Sequence, residues 1–391
     1  MTDTESQPTE SGPLSGVLVL DLSRALAGPQ AAMMLGDLGA RVIKLESPEG
    51  DESRLWGPPF AGGESTYFLS CNRNKESVVV DLTQEGDQEL LRRLVAKADV
   101  LVENFRPGVL ARLGFGEQQL HELNPRLVIG SVTGFGHDGP EASRPGYDQV
   151  AQGEGGLMSI TGTAGPTRVG VPIADLLAGM NIAYGLVAAL FERAHTGRGR
   201  VVRTSLLASM VGIHGFQGTR WTVAGEHPGL VGNHHPNLLP YGLFDTATGP
   251  LTIACGTERQ WVQVSRLLDL PDDPRFADNE TRVRNRGHVL DAIQQRLSTE
   301  SAEHWLALLE QAGVPSGLVR SIPEVYAWEQ TRSQGLLVDV EHPTAGTLTL
   351  PGPVLRLDDQ AYAGGRRTHL APPTLGQHTD AVRAEVGLTD R

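Results

Sequence analysis

Residues 16–46 read GVLVLDLSRALAGPQAAMMLGDLGARVIKLE, and this stretch decides the fold. A short run of valine and leucine ends in Asp21, helical spacing follows over 29–38, and ARVIKLE after Gly39 is a second apolar run. Strand, helix and strand within about 30 residues make a βαβ unit, which predicts a parallel sheet with ligands bound beyond its C-terminal strand ends. The pattern repeats downstream. SVVVDL (77–82) is a strand, 85–98 is a helix with Leu90, Leu91, Leu94 and Val95 on one face, and further strands are expected at 100–103 and 127–133.

The charge distribution marks a second segment. Between Glu154 and Glu192 the only charged residues are Arg168 and Asp175. Asp175 therefore stands alone at the head of a nearly unbroken apolar run, 176–191, which is too continuous for a one-faced helix and predicts a buried one. Pro172 suits the approach to that helix, Asp175 falls where an N-cap belongs, and Arg193, His195 and Gly197 supply C-terminal signals. On the residues alone, Asp175 is a helix cap.

Composition narrows the function. The 391 residues allow about two domains. A net charge of -13 argues against a non-specific nucleic-acid partner. Cys71 and Cys255 are too few for a disulfide framework or a thiolate metal site and fit a reducing cytoplasm. The polar opening, MTDTESQPTESGP, reads as a loose leader, and the 176–191 run is shorter than a bilayer span, so no membrane partner is expected. No metal is expected either, since the adjacent His234 and His235 lack acidic or cysteine ligands nearby.

Several motifs carry less than they promise. Gly134, Gly136 and Gly139 form a G-x-G-x-x-G after a strand, but PEASRPG follows with two prolines where a dinucleotide site needs a helix start. A surface loop is expected there, and an NAD oxidoreductase remains an alternative. No G-K-[ST] occurs, which removes the common P-loop. The stretch GEHPGLVGNHHPNLLPYG reads as a linker leading into a hairpin that turns at Gly249 and Pro250, followed by helices at 258–270, 286–297 and 301–311. This is a smaller α+β domain. Short strands return over 334–357, and 370–391 is a tail with a short helix.

Taken together, DLSRALAGPQAAMMLGDLGARVIKLE (21–46), NRNKESVVVDL (72–82), ENFRPGVLARLGF (103–115), GYDQVAQGEGG (146–156), PIADLLAGMNIAYGLVAAL (172–190) and HTGRGR (195–200) give a joint signature. In their order and spacing the chain resembles the class III CoA-transferases, the CaiB/BaiF family, over nearly its full length. The resemblance implies an α/β fold: a Rossmann-like large domain built from both chain ends (1–222 and 331–391), a small α+β domain (223–330), and an interlinked homodimer. It implies that Asp175 is the catalytic nucleophile, attacking an acyl-CoA thioester to give an aspartyl mixed anhydride and then an aspartyl-CoA thioester. Coenzyme A, as acyl-CoA, and a small carboxylic acid are the expected substrates.

The same resemblance places CoA against Arg24, Lys75, Asp81, Leu82, Thr83, Asn104, Phe105, Arg106, Arg112, Arg144 and Tyr147, and the acyl pocket at Leu26, Tyr147 and Asp148. Family members that racemise α-methylacyl-CoA carry histidine where this chain has Tyr147. A phenol is a poor base at neutral pH, so transfer is favoured over racemisation, which stays as an alternative beside a CoA-binding protein without turnover. Leu26 replaces the glutamine of formyl-CoA transferases, and GLVGNHHPN lacks their run of glycines, which makes formyl/oxalate exchange doubtful.

Overall fold

The computed structural model describes residues 12–357, 364–366 and 368–388. The expected leader lies outside them up to residue 11, as do the last three residues of the expected tail. The chain divides into two compact units, one of residues 1–156, 169–216 and 326–391, the other of 157–168 and 217–325.

The first unit is built on six parallel strands: β1 (Leu18–Asp21), β2 (Arg41–Glu46), β3 (Lys75–Val79), β4 (Val100–Glu103), β5 (Val128–Thr133) and β6 (Val201–Ser205). Their order across the sheet is β3-β2-β1-β4-β5-β6, the doubly wound arrangement. Helix α1 (Ala27–Asp37) joins β1 to β2 and α2 (Glu85–Lys97) joins β3 to β4. Leu90, Leu91, Leu94 and Val95 of α2 are buried against Leu20, Ile43, Val78, Leu101 and Ile129 of the sheet. Each such side chain contributes roughly 1.5–3 kcal/mol by burial. β3 starts two residues before the expected 77 and ends three before 82, because Asp81 turns the chain by accepting the Thr83 N–H at 3.0 Å.

Three more helices shape the region beyond the sheet: α3 (Asp148–Glu154), α4 (Ile173–Thr196) and α5 (Leu206–Gly212). α4 has 24 residues, longer than the sequence reading allowed, and ends at Gly197, whose left-handed φ of 73° lets its N–H reach Arg193 O at 2.8 Å. At about 36 Å it is long enough to span a bilayer by length alone. Within the unit, however, Ala174, Ala178, Ile182, Leu186 and Ala189 are buried, and Arg193 pairs with Asp99 at 2.8 Å. Nor is the helix buried all round, as its apolar continuity suggested. Met180, Tyr184, Val187 and Phe191 form an exposed stripe, with Tyr184 79% and Phe191 71% exposed.

The C-terminal strands, Leu337–His342 and Gly346–Pro351, pair with each other as an antiparallel hairpin and do not extend the sheet. The segment after them closes on the edge strand β3. His378 donates its N–H to Ser77 O at 2.9 Å, Val79 N–H reaches Thr379 Oγ1 at 3.0 Å, and Leu370 N–H reaches Asn74 Oδ1 at 2.8 Å. A free sheet edge is thereby covered.

The second unit holds a three-stranded antiparallel sheet of Tyr241–Asp245, Pro250–Ala254 and Ser316–Leu318 with helices Glu258–Leu267, Arg286–Leu297 and Ala302–Gln311. Ser301 caps the last of these by accepting the His304 N–H at 3.2 Å. The unit ends at Val325, five residues before the expected 330, and its beginning departs from the expected 223 in two ways. The helix Gly215–Ala224 carries the chain unbroken across residue 222, and residues 157–168 belong to this unit, tied by Gly232 N–H to Gly162 O at 3.2 Å.

Candidate functional site

In a doubly wound sheet a crevice opens where neighbouring strands send the chain in opposite directions, here between β1 and β4. Arg24 follows β1 and Asn104–Arg106 follow β4, so the fold brings together residues that are 80 apart in sequence. Arg24 donates its backbone N–H to Asn104 Oδ1, and Asn104 Nδ2 donates back to Arg24 O, both at 2.8 Å. The Arg24 guanidinium lies 5.2 Å from the centre of the Phe105 ring. Phe105 and Leu82 are both half-buried against the rim of the main core. Arg106 and Arg112 are exposed, and among the described residues neither forms an ion pair. Arg144 differs: it pairs with Glu154 at 2.5 Å and Glu141 at 3.4 Å and lies 4.6 Å from the Phe135 ring centre, so its charge is already answered.

Lys75 does not join the expected cations. It is 1% exposed, and its ammonium donates to Asp21 Oδ2, Pro29 O and Asn72 Oδ1, each at 2.8 Å. Three N–H groups with three buried acceptors leave nothing for a ligand. Lys75 belongs instead to a charge network beneath the crevice. Burial disfavours the Asp21 carboxylate, yet Lys75 and Lys44 outweigh it and hold Asp21 below the usual carboxylate range. Lys44 bridges to Asp51 at 2.9 Å, and Asp51 Oδ1 accepts the N–H groups of Ala25 (3.1 Å) and Ser53 (2.9 Å). The network thus holds the turn at Ala25, whose φ of +64° is unusual for a residue with a Cβ. Gly28 completes that turn, since a Cβ there would lie 2.2 Å from the Ser23 Cβ.

Asp175 is the third residue of α4, not its N-cap. The helix begins after Pro172, which caps with no side chain. The acceptor comes from elsewhere in the chain: Asp148, on the first turn of α3, takes the Ala174 N–H on Oδ1 at 2.8 Å and is anchored through Oδ2 by Gln152 at 2.8 Å. Ile173 N–H goes to Val171 O at 2.8 Å, so these two helix-start donors are committed and do not face an oxyanion. Asp148 reaches this position because Gly134 and Gly146 cross closely; a Cβ on Gly134 would lie 2.8 Å from the Gly146 Cα. Gly134, the first glycine of the G-x-G-x-x-G, therefore serves a loop crossing, and the next helix starts only at Asp148.

This setting changes the chemistry of Asp175. Burial raises its carboxyl to about 7, with the Asp148 charge adding to the effect and overriding the attraction of a helix N-terminus. Tyr147 is 57% exposed and donates its hydroxyl to Glu52 Oε1 at 3.4 Å. The Glu52 charge, then partial burial, push the phenol above its ordinary value, which weakens it further as a base, while Arg106 acts the other way. Leu26 is buried with Met33 and Cys71, and Tyr67 and Leu176 pack on the same cluster. Leu26 is thus a wall behind the site and offers a ligand little surface.

Sequence reasoning missed Tyr67, Glu52 and Asp51. Tyr67 lies in a five-residue helix, too short to show a period, and its phenol is raised by burial and then by the Asp175 charge, which places the two within electrostatic reach. The coupling of Asp175 to Asp148 is directly measurable. In Asp148→Asn the amide still accepts the Ala174 N–H but carries no charge, so the Asp175 carboxyl titrates below the wild-type value of about 7. Carbon-13 NMR of labelled aspartate reads this; an unchanged midpoint contradicts the coupling.

The sequence model of CoA-transferase family III matches residues 14–379. The human succinyl-CoA:glutarate CoA-transferase is 40% identical over 381 residues, covering 96% of this chain and 86% of that protein. The acetyl-CoA:oxalate CoA-transferase of Acetobacter aceti is 36% identical, covering 98% of each. Among solved structures, a CAIB/BAIF family protein from Brucella suis superposes with a TM-score of 0.86 at 38% identity, covering 96% of this chain and 100% of that one.

Proposed function

This chain belongs to CoA-transferase family III, and from that premise we propose that Asp175 is the nucleophile through which it moves CoA from an acyl-CoA to a free carboxylic acid. One observation carries the proposal: a carboxyl with no hydrogen-bond partner among the described residues, desolvated beside Asp148 and poised near neutrality, at the head of α4 in the unit that holds the β1/β4 crevice. A desolvated carboxylate is a better nucleophile than a hydrated one, and a covalent intermediate divides the exchange into easier steps.

The steps balance without ATP. The Asp175 carboxylate attacks the thioester carbonyl, the C–S bond breaks, and CoA leaves as thiolate with an aspartyl mixed anhydride formed. The thiolate attacks the aspartyl carbonyl and expels the donor carboxylate, leaving an aspartyl-CoA thioester. The acceptor carboxylate then attacks that thioester, breaking its C–S bond to expel CoA thiolate and form a second mixed anhydride. The thiolate attacks the acceptor carbonyl of that anhydride to give the new acyl-CoA and release the Asp175 carboxylate. Arg24, Asn104, Phe105, Arg106 and Arg112 hold the nucleotide end of CoA, with Asp81, Leu82 and Thr83 beside it, and Tyr147 and Asp148 border the acyl group. The family relatives are named for glutarate, oxalate, mesaconate and citramalate, all dicarboxylic acids, and several for succinyl-CoA. A dicarboxylic acceptor with a succinyl-CoA donor is our reading here.

The test is an incubation in heavy water with acyl-CoA donors and a panel of mono- and dicarboxylic acids, followed by mass spectrometry of the thioesters. New acyl-CoA masses matching added dicarboxylic acids are expected. A one-deuteron gain on an unchanged acyl group establishes α-proton chemistry instead and overturns the reading.

We also propose a homodimer, in a cytoplasmic setting that suits two buried free thiols. The exposed stripe of α4 borders an apolar groove of about 350 Å³ lined by Met34, Leu38, Met180, Tyr184, Val354 and Leu355. A second copy covers that surface. A monomer mass in sedimentation equilibrium at micromolar concentration contradicts it.

A further inference from the structure

Glu103 takes no part in the chemistry above, yet it ends β4 at the mouth of the crevice. Its Oε2 accepts the Phe105 N–H at 2.8 Å. Its Oε1 accepts the hydroxyl of Ser131, a buried residue in the middle of β5, and the same hydroxyl lies 2.8 Å from His137 Nε2 in the glycine loop after β5. A three-residue chain of hydrogen bonds therefore runs from that loop to the backbone of the segment 104–106.

We propose that Glu103 is a positioning residue for CoA, fixing Asn104–Arg106 at the crevice with a grip set by the proton shared along Glu103, Ser131 and His137. This rests on the CoA-binding reading of those residues given above.

The Ser131 hydroxyl has one proton, which couples the ends. With Glu103 ionised, both carboxylate oxygens accept, Ser131 donates to Glu103, and His137 Nε2–H donates to Ser131. With Glu103 protonated, its own proton points to Ser131, whose hydroxyl now donates to His137 Nε2, and the imidazole, by proton exchange with solvent, carries its N–H on Nδ1 instead. The bond to Phe105 N–H is then no longer charge-assisted and is about half as strong. Burial pushes Glu103 up to about 7, with Glu117 adding repulsion and the Ser131 and Phe105 bonds opposing. His137 is lowered by burial and then by Arg203, with Glu117 and Asp138 opposing. Arg203 on β6 is itself paired with Glu117 at 2.5 Å, so the charges facing the chain largely balance. The change of state falls near neutral pH.

The sign follows from which form grips. Above pH 7 Glu103 is ionised and holds the segment; below it the grip loosens, so the KM for acyl-CoA rises severalfold as pH falls from 8 to 6. Glu103→Gln keeps acceptor and donor groups and removes the titration. We expect its KM and CoA Kd to exceed the wild-type values severalfold at pH 8 and to meet them at pH 6, with kcat within about twofold of wild type. CoA's own phosphomonoester, with a second pKa of about 6, and the Asp175 carboxyl, at about 7, titrate in both proteins and cancel in the comparison.

The experiment measures Kd for CoA by calorimetry and KM and kcat for acyl-CoA from pH 6 to 8.5, with hydrogen exchange of the peptide spanning 103–110. A variant-to-wild-type KM ratio that falls from severalfold at pH 8.5 to near one at pH 6, with faster exchange and kcat retained, supports the proposal. A variant-to-wild-type KM ratio that stays constant from pH 6 to 8.5, or a fall in kcat at unchanged KM, overturns it while leaving CoA binding standing. Failure of the wild type to bind CoA at any pH overturns the binding reading and the proposal together.

Discussion

Asp175→Asn loses CoA exchange by at least about 10³-fold while the protein stays folded. The loss follows from the proposed covalent step, for which an amide offers no nucleophilic oxygen of comparable strength. Folding survives because Asp175 is not the cap of α4; Asp148 takes the Ala174 N–H, and the Asp175 carboxyl makes no hydrogen bond among the described residues. The pH dependence of stability supplies a second readout. The Asp175 carboxyl is raised from 3.8 to about 7 in the folded chain, so the folded state holds its proton more tightly than the unfolded one. Its contribution is fully present below about pH 4 and is lost as pH rises towards 7. Above pH 7 the neutral amide escapes this loss, and Asp175→Asn melts at a higher temperature than wild type, whereas at pH 4 the two coincide. Equal melting at both pH values contradicts the desolvated setting of Asp175. Asp175→Ala is as clean a test, because no cap is removed with the nucleophile.

Lys75→Met destabilises the protein by about 3–5 kcal/mol, the usual cost of removing one partner from a buried ion pair. The affected group is Asp21, fully buried, which keeps Lys44 only at 4.0 Å once the 2.8 Å contact to Lys75 is gone. Adding Asp21→Asn recovers much of the loss, because the unanswered charge disappears. Chemical denaturation of the single and double variants measures this coupling. A Lys75→Met protein of wild-type stability whose only defect is a weaker grip on CoA restores the sequence-based view of Lys75 as a phosphate ligand.

These two residues also show where the sequence could be read and where it could not. The βαβ unit at 16–46 and the apolar face of α2 are local patterns, and each appears in the structure within a few residues of its expected bounds. Asp175 was visible because no other carboxylate lies near it in the chain. Its place as third residue of α4 was not, because the cap that displaces it, Asp148, stands 26 residues from the Ala174 N–H that it accepts. Lys75 failed for the same reason: a cation in a ligand-crevice motif and one neutralised by Asp21, 54 residues distant, look alike in one dimension. The apolar run of α4 suggested burial on every side, but continuity does not say what covers each face. Its Met180–Phe191 stripe is bare in the single chain. Glu103 was passed over because its meaning lies in Ser131 and His137, which only the β4–β5 pairing brings alongside.

The most direct test of the central claim is to catch CoA on the protein. The chain is mixed with an acyl-CoA donor lacking an acceptor acid, quenched in acid, digested and sequenced by mass spectrometry. We expect a CoA adduct in thioester linkage on the peptide containing Asp175, discharged by an acceptor carboxylate and absent from Asp175→Asn. Turnover by wild type with no adduct on that peptide under any quench, or an adduct on another carboxylate, contradicts it.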